Sequence, residues 1–368
     1  MNGGYRLMKK VCLVDFDMSV TGGVEHVTCE LANRLVEEYE VHIYTIRNEN
    51  GITAYTLKED IICSVGEEKA ERIRQLIPRC GKRFRKYLCE NEIDTVLFMG
   101  VYSAFILLWS TAFLKVKFIY CDHGALMNQW TEKSVTIMRY LSAILADKVV
   151  VLTERTKEDY IQQFKIKRKK IECIYNWVDT SDYVCNTKYN QKSQMILSVG
   201  RISKEKGYDL LIKVANLVLP KYPNWQWHVY GDGELFQEIA AEIANSNLEE
   251  QLILKGNVTN VRELYKEYSF LVLPSYREGL PLVLLEAKVN ALPLVSFDIL
   301  TGPREIIEDN ENGYLVSPYS IEEMAERIER LISSEELRKS FSQGTKKNLK
   351  KFEKEQIILQ WKRIIDYS

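Results

Sequence analysis

The sequence has few of the residues from which metal and redox centres are built. It holds four histidines in 368 residues, and its eight cysteines (Cys12, Cys29, Cys63, Cys80, Cys89, Cys121, Cys173 and Cys185) form no C-x-x-C pair and no Cys/His cluster. That spacing argues against a zinc site. Several cysteines lie in apolar runs, "KKVCLVD" and "KFIYCD", where Cys acts as a small buried hydrophobe. A secretory core is missing too, because the run "VCLV" stops at Asp15. Together these absences predict a reducing, cytoplasmic compartment. The longest apolar run, "VYSAFILLWSTAFL" (101–114), falls short of the about 20 residues that span a bilayer and predicts a buried helix. Neither charge dominates. With 50 basic and 51 acidic residues the formal net charge is −1, which removes the basic balance of a general nucleic-acid binder. There is no internal repeat.

What is present is an alternation of short apolar strands and helical patterns. The first half gives strands at "KKVCLVD", "EVHIYTI", "DTVLFM", "VKFIY", "DKVVVL" and "IECIY". The second gives "MILSVG", "QWHVYG", "QLILKG", "SFLVLPS" and "LPLVSF". Continuous Val/Ile/Leu strands between helices predict parallel sheets covered on both faces. The expected fold class is α/β: two facing, doubly wound Rossmann-like domains, residues 1–180 and 181–350. The polar stretch 176–194 reads as the linker, and the default ligand site is the cleft between the domains. The amphipathic segment 351–368, with Ile357, Ile358, Trp361, Ile364 and Ile365 at helical spacing, predicts a terminal helix that must dock on a neighbour.

Three strand-to-helix junctions could carry chemistry. In "SYREGLPLVLLEA" (275–287), Gly279 and Pro281 precede a helix whose first turn has no side-chain cap, so its N–H groups stay available to an anion. Pro281 suits that first turn. Glu278 and Glu286 bracket the junction and can accept hydrogen bonds from hydroxyl groups; the competing reading is an ordinary core helix with solvated ends. In "SVGRISKEKGYDLL" (198–211), Arg201, Lys204 and Lys206 can neutralise a diphosphate, or form a solvated basic loop. In "TGGVEHVTCELANRL", Gly22 and Gly23 open a helix, as a phosphate cradle or as a plain tight turn. This is not G-x-G-x-x-G, and no acid ends the second strand, so a dinucleotide oxidoreductase is poorly supported. His123, in "CDHGAL", ends a strand; a lone histidine there can be structural or functional.

Taken in order, "TGGVEHVTCELANRL", "DHG", "DKVVVLTERTKEDY", "IYNWVD", "SVGRISKEKGYDLL", "VYGDGE", "LILKGNV", "PSYREGLPLVLLEA", "TGPREII" and "ENGYLV" resemble the family 4 glycosyltransferases, of GT-B fold. The resemblance spans nearly the whole chain. It implies that the terminal helix returns to the N-terminal domain, which holds the acceptor, while the C-terminal domain binds a nucleotide sugar. It implies that Arg201 and Lys206 hold the donor diphosphate, Glu286 the ribose and Glu278 the donor sugar. Backbone N–H groups at Gly279, Leu280 and Leu282 would meet phosphate and sugar. Gly22 and Gly23 would close on the donor, His123 would stand near the transferred sugar, and Asn257 and Val258 would border the base. By the same resemblance Glu278, His123, Arg201 and Lys206 are the catalytic group. Pro281 departs from the family's glycine and removes one N–H donor. "DFD" (15–17) has the Asp-x-Asp form of some metal-dependent sugar transferases, but Asp15 here ends a strand and is expected to shape the loop.

The implied reaction is metal-independent transfer, with retention, of a hexose or N-acetylhexosamine from a UDP-linked donor in bacterial surface-glycan synthesis. No cofactor beyond the donor is expected. The acceptor is expected to be a glycan or lipid-linked saccharide. Two basic segments, 69–88 and 165–170, could place the enzyme peripherally on the anionic inner face of the cell membrane, or form solvated helix faces. The alternatives are a catalytically silent sugar-nucleotide-binding subunit and another GT-B activity such as an epimerase or phosphorylase.

Overall fold

A computed structural model describes residues 8–48, 51, 53–67, 73–107, 113–178, 189–258 and 261–367. Its strands are β1 Lys10–Asp15, β2 Glu40–Arg47, β3 Ile62–Glu67, β4 Thr95–Met99, β5 Lys117–Asp122, β6 Lys148–Val151 and β7 Ile171–Cys173, then β8 Met195–Val199, β9 Gln226–Tyr230, β10 Leu252–Gly256, β11 Phe270–Leu273, β12 Leu294–Phe297 and β13 Gly313–Val316. They form two sheets, β3-β2-β1-β4-β5-β6-β7 and β10-β9-β8-β11-β12-β13, with parallel pairing throughout. The reason lies in the strand composition. β1 (KVCLVD) is buried at every position after the first and β4 (TVLFM) at all of its positions, which only a sheet with both faces covered can satisfy.

Each sheet reverses its winding once, between β1 and β4 in the first and between β8 and β11 in the second. Those two positions are the topological switch points, where the departing loops splay apart and leave a crevice at the strand ends. Two strands were not legible in the sequence, β3 and β13, and both lie at sheet edges. β3 leaves Ile62 and Val65 exposed, so it lacks the continuous burial that marks the central strands.

The chain divides into one unit of residues 1–175 with 357–368 and a second of 176–356. The cut comes earlier than residue 180 because Val178 N–H donates to the Phe352 carbonyl at 3.0 Å and Asn176 Nδ2 to the Leu280 carbonyl at 3.1 Å. Residues 179–188 of the expected linker lie outside the described residues. The terminal helix Lys354–Asp366 belongs to the first unit from Ile357 onward. It buries Ile357, Ile358, Trp361, Ile364 and Ile365, and Tyr39 Oη donates to Asp366 at 3.0 Å. Residues 349–352 instead stay with the second unit, where Lys351 Nζ reaches the Glu305 carbonyl at 2.5 Å. The apolar run 101–114 is helical over Val101–Leu107; residues 108–112 lie outside the described residues, and Phe113 beyond them is fully exposed rather than buried.

Candidate functional site

In the second unit the switch point is framed by the loops that follow β8 and β11. The β8 loop carries the turn Lys204–Lys206 and ends at Gly207, which caps helix Tyr208–Val218. Gly207 has φ +67°, and a Cβ there would overlap the Pro274 carbonyl. Glycine is therefore needed twice, for the left-handed backbone and for the close approach of the two loops. Polar contacts complete the seam. Tyr276 N–H donates to the Glu205 carbonyl at 2.8 Å, Tyr276 Oη to Asp209 at 2.7 Å, and Arg277 pairs with Glu205 at 3.3 Å.

Across this seam Lys206 Nζ donates to Glu278 Oε1 at 2.7 Å, and Ser275 Oγ donates to the same oxygen at 2.7 Å. Thr301 Oγ1 fixes the Glu278 backbone by donating to its carbonyl at 2.7 Å. The sequence suggested separate duties for Lys206 and Glu278; the structure joins them in one ion pair. An ammonium group has three donors, so the pairing leaves Lys206 able to hold a phosphate oxygen as well. Arg201 stands exposed at the carboxyl end of β8.

Helix Leu282–Val289 begins one residue later than the sequence suggests. Pro281 is its N-cap, with φ −72° and ψ 112°, and no side chain caps it. The ring thus occupies the cap and leaves Leu282 and Val283 as the first helical donors, which have no partner within the helix. Gly279 and Leu280 lie in the preceding loop, where the Gly279 carbonyl packs on Gly302 so closely that a Cβ at Gly302 would come within 2.8 Å. Glu286, in the second turn, accepts from the buried Tyr265 hydroxyl at 2.9 Å. Asn257 and Val258 follow β10 directly, Asn257 exposed and Val258 half-buried.

The first unit has its own cluster at the carboxyl ends of β1 and β5. Gly22, in extended backbone, caps helix Gly23–Leu35 without a side-chain bond, and its carbonyl accepts from Tyr55 Oη at 3.1 Å. Asp15 ends β1 as expected, accepting from Phe16 N–H at 2.6 Å and Thr28 Oγ1 at 2.9 Å. Burial pushes its carboxyl up to about 6 from 3.8, against those hydrogen bonds. A raised acid pKa means that the folded chain binds this proton more tightly than the unfolded chain. Its stabilisation is complete below pH 3.8 and is lost as pH rises to about 6. Asp15→Asn is therefore expected to raise stability at pH 8 by about 3 kcal/mol and to have little effect near pH 4. Thermal melts across this range would overturn the assignment if the gain were the same at both pH values.

His123 follows β5, and its Nε2 is buried without a hydrogen-bond partner. Burial lowers the imidazole to about 4, opposed by Asp122, so the ring is neutral at physiological pH. Beside it Asp122 is the centre of a buried network. Arg139 Nε lies 3.0 Å from Asp122 Oδ2, Tyr160 Oη donates to that oxygen at 2.7 Å, and Gly124 N–H donates to Oδ1 at 3.0 Å. Neither Arg139 nor Tyr160 was singled out in the sequence, and likewise Tyr265, Ser275 and Thr301. Arg139, Tyr160, Tyr265 and Thr301 meet their partners through long chain separations that no spacing rule signals, whereas Ser275 lies three residues before Glu278 in the same loop.

Of the basic segments, residues 69–72 lie outside the described residues. Helix Ile73–Glu90 turns Cys80, Phe84 and Leu88 inward and Lys82, Arg83, Arg85 and Lys86 outward, so these three apolar residues are core. Among the described residues no helix is long and apolar enough to cross a membrane, and no group of three or more His, Cys, Asp or Glu side chains could hold a metal ion.

Two families match the chain in tandem: "Glycosyltransferase Family 4" over residues 21–182 and "Glycosyl transferases group 1" over residues 185–348. The chain is 30% identical, over an alignment of 372 residues, to the amylovoran biosynthesis glycosyltransferase AmsD of Erwinia amylovora, covering 98% of this chain and 100% of that one. It is 26% identical over 352 residues, 94% of this chain and 95% of the relative, to a Campylobacter jejuni alpha-1,4-N-acetyl-D-galactosaminyltransferase named for a PP-undecaprenol-linked saccharide. The crystal structure of Anabaena HepE in complex with UDP and glucose shares the fold, with a TM-score of 0.81 at 16% identity, covering 98% of this chain and 100% of that one.

Proposed function

This chain belongs to the family 4 glycosyltransferases of GT-B fold, and from that premise we propose that it moves a hexose or N-acetylhexosamine from a UDP-sugar to a glycan or lipid-linked saccharide, with retention and without a metal. The observation that carries the reading is the grouping of Arg201, the Lys206–Glu278 pair and the uncapped start of helix Leu282–Val289 around one switch point. Two cations and the uncapped N–H groups of Leu282 and Val283 suit a diphosphate, on which negative charge grows as the glycosidic bond breaks. Glu278 and Glu286 supply carboxylates for sugar and ribose hydroxyls. The roles of Gly22, Gly23 and His123 toward the sugar, and of Asn257 and Val258 toward the base, rest on family resemblance.

The step breaks the bond between the anomeric carbon and the leaving phosphate oxygen and forms one to the acceptor oxygen on the same face. The acceptor proton passes to the departing phosphate, so the step needs no protein carboxylate as nucleophile. UDP as carrier is supported by the fold shared with HepE, and a lipid-linked or polysaccharide acceptor by the Campylobacter and Erwinia relatives. Such an acceptor would place the enzyme on the inner face of the cell membrane.

The test is nucleoside diphosphate release from UDP-, GDP- and ADP-sugars, with saccharide acceptors and with EDTA present. The expected result is UDP release that continues in EDTA and an α-linked product by NMR from an α-linked donor. Donor binding without turnover on any acceptor would favour a silent subunit. A β-linked product would remove retention.

A further inference from the structure

Helix Lys133–Leu145 presents the wrong face to water. Its buried residues are Val135, Arg139, Ser142 and Ala143, because the Arg139 guanidinium must reach Asp122. The side chains turned outward are Ile137, Tyr140, Leu141, Ile144 and Leu145, with Ile137 and Leu145 more than half exposed, at 56% and 55%. Positions i, i+3, i+4, i+7 and i+8 form one stripe along a helix, so these exposures make a continuous apolar surface and are not scattered accidents. Trp130, just before the helix, is exposed as well.

Positive charge borders this stripe. Lys170 Nζ donates to the Ile144 carbonyl at 2.6 Å and Lys148 Nζ to the Lys169 carbonyl at 2.9 Å, which seats the turn Arg168–Lys170 against the end of the helix. Glu158 and Glu172 neutralise Arg168 and Lys148, and Lys165, Lys167, Lys169 and Lys170 add cationic charge. Helix Val101–Leu107 packs against both Lys133–Leu145 and Ile73–Glu90.

We infer that the outward face of Lys133–Leu145 lies in the headgroup–acyl boundary of an anionic phospholipid bilayer, with the 165–170 cations on the lipid phosphates. An interfacial helix needs an apolar stripe and flanking cations, and this surface has both. The inference rests on this helix and on the 165–170 cations beside it, and its test uses no turnover, so it stands apart from the reaction proposed above.

The test is co-sedimentation of the full chain with phosphatidylcholine vesicles, with and without about one-third phosphatidylglycerol. The wild-type chain is expected to bind only the anionic vesicles. Ile137→Ser/Leu141→Ser/Ile144→Ser should lower that partition by at least about tenfold while keeping the wild-type elution volume and melting curve. Lys165→Glu/Lys169→Glu, which touches no buried group, should lower it by a similar factor, and it serves if the first variant misfolds. Equal partition of either folded variant with wild type would overturn the inference. So would failure of the wild-type chain to bind anionic vesicles, including the case of a wild-type dimer that the serine variant splits, which would make the face a contact between copies.

Discussion

Lys206→Ala is expected to lower kcat/KM by about 10²–10³-fold, the usual loss when one preorganised donor to a developing anion is removed. The geometry makes the variant informative beyond its size. Lys206 Nζ is 2.7 Å from Glu278 Oε1, so alanine removes a phosphate cation and also strands a carboxylate that is only 8% exposed. The two consequences separate in a cycle with Glu278→Gln, which keeps a hydrogen-bonding group beside Ser275 and Lys206 without the charge. If Lys206 serves the leaving diphosphate, the double variant stays about as slow as Lys206→Ala and binds UDP as weakly. If Lys206 only balances Glu278, the double variant recovers the UDP affinity that Lys206→Ala loses. Lys206→Arg should restore little, because a planar fork cannot reproduce a point charge held between a carboxylate and a phosphate. Unchanged kcat and UDP affinity in Lys206→Ala would remove Lys206 from the site.

The largest loss of stability is expected at Arg139. Its side chain is 2% exposed and lies against Asp122, also 2% exposed, with Gln129 Oε1 accepting from its Nη2 at 2.8 Å. Burial acts against the charge, and Asp122 beside it more than offsets this, raising the guanidinium pKa further. Arg139→Met keeps the length but leaves Asp122 buried with no cation, at a cost of about 3–5 kcal/mol. In a unit of this size that is roughly a 10 °C fall in melting temperature. Arg139→Met/Asp122→Asn removes both charges and should melt closer to wild type, as neutral replacement of buried pairs usually does. A melting temperature within about 2 °C of wild type for Arg139→Met alone would show that the pair carries no such weight. Because Asp122 Oδ1 also holds the Gly124 N–H at 3.0 Å, Arg139→Met should disturb the loop that presents His123.

Sequence alone determined the parallel α/β architecture, because runs such as "VCLV" and "TVLFM" are too apolar for any strand with a wet face. It determined where two strand-to-helix junctions turn, because Gly207 can take a left-handed backbone that other residues rarely adopt and Pro281 fixes its own φ at a helix start. It also determined that the terminal segment docks, since Trp361 and its isoleucines share one helix face. Only the tertiary structure decided which groups meet. Lys206 and Glu278 are paired because β8 and β11 are neighbours in the sheet, and strand order is a property of crossovers, not of residue spacing. Edge strand β3 escaped notice because partial burial erases the apolar run that marks a strand, and β13 because its four residues, Gly313–Val316, begin on a glycine and make too short a run to stand out. The orientation of helix Lys133–Leu145 was decided in the same way. Its periodicity shows two faces, but the one that turns inward carries Arg139 to the buried carboxylate of Asp122, which needs a cation beside it.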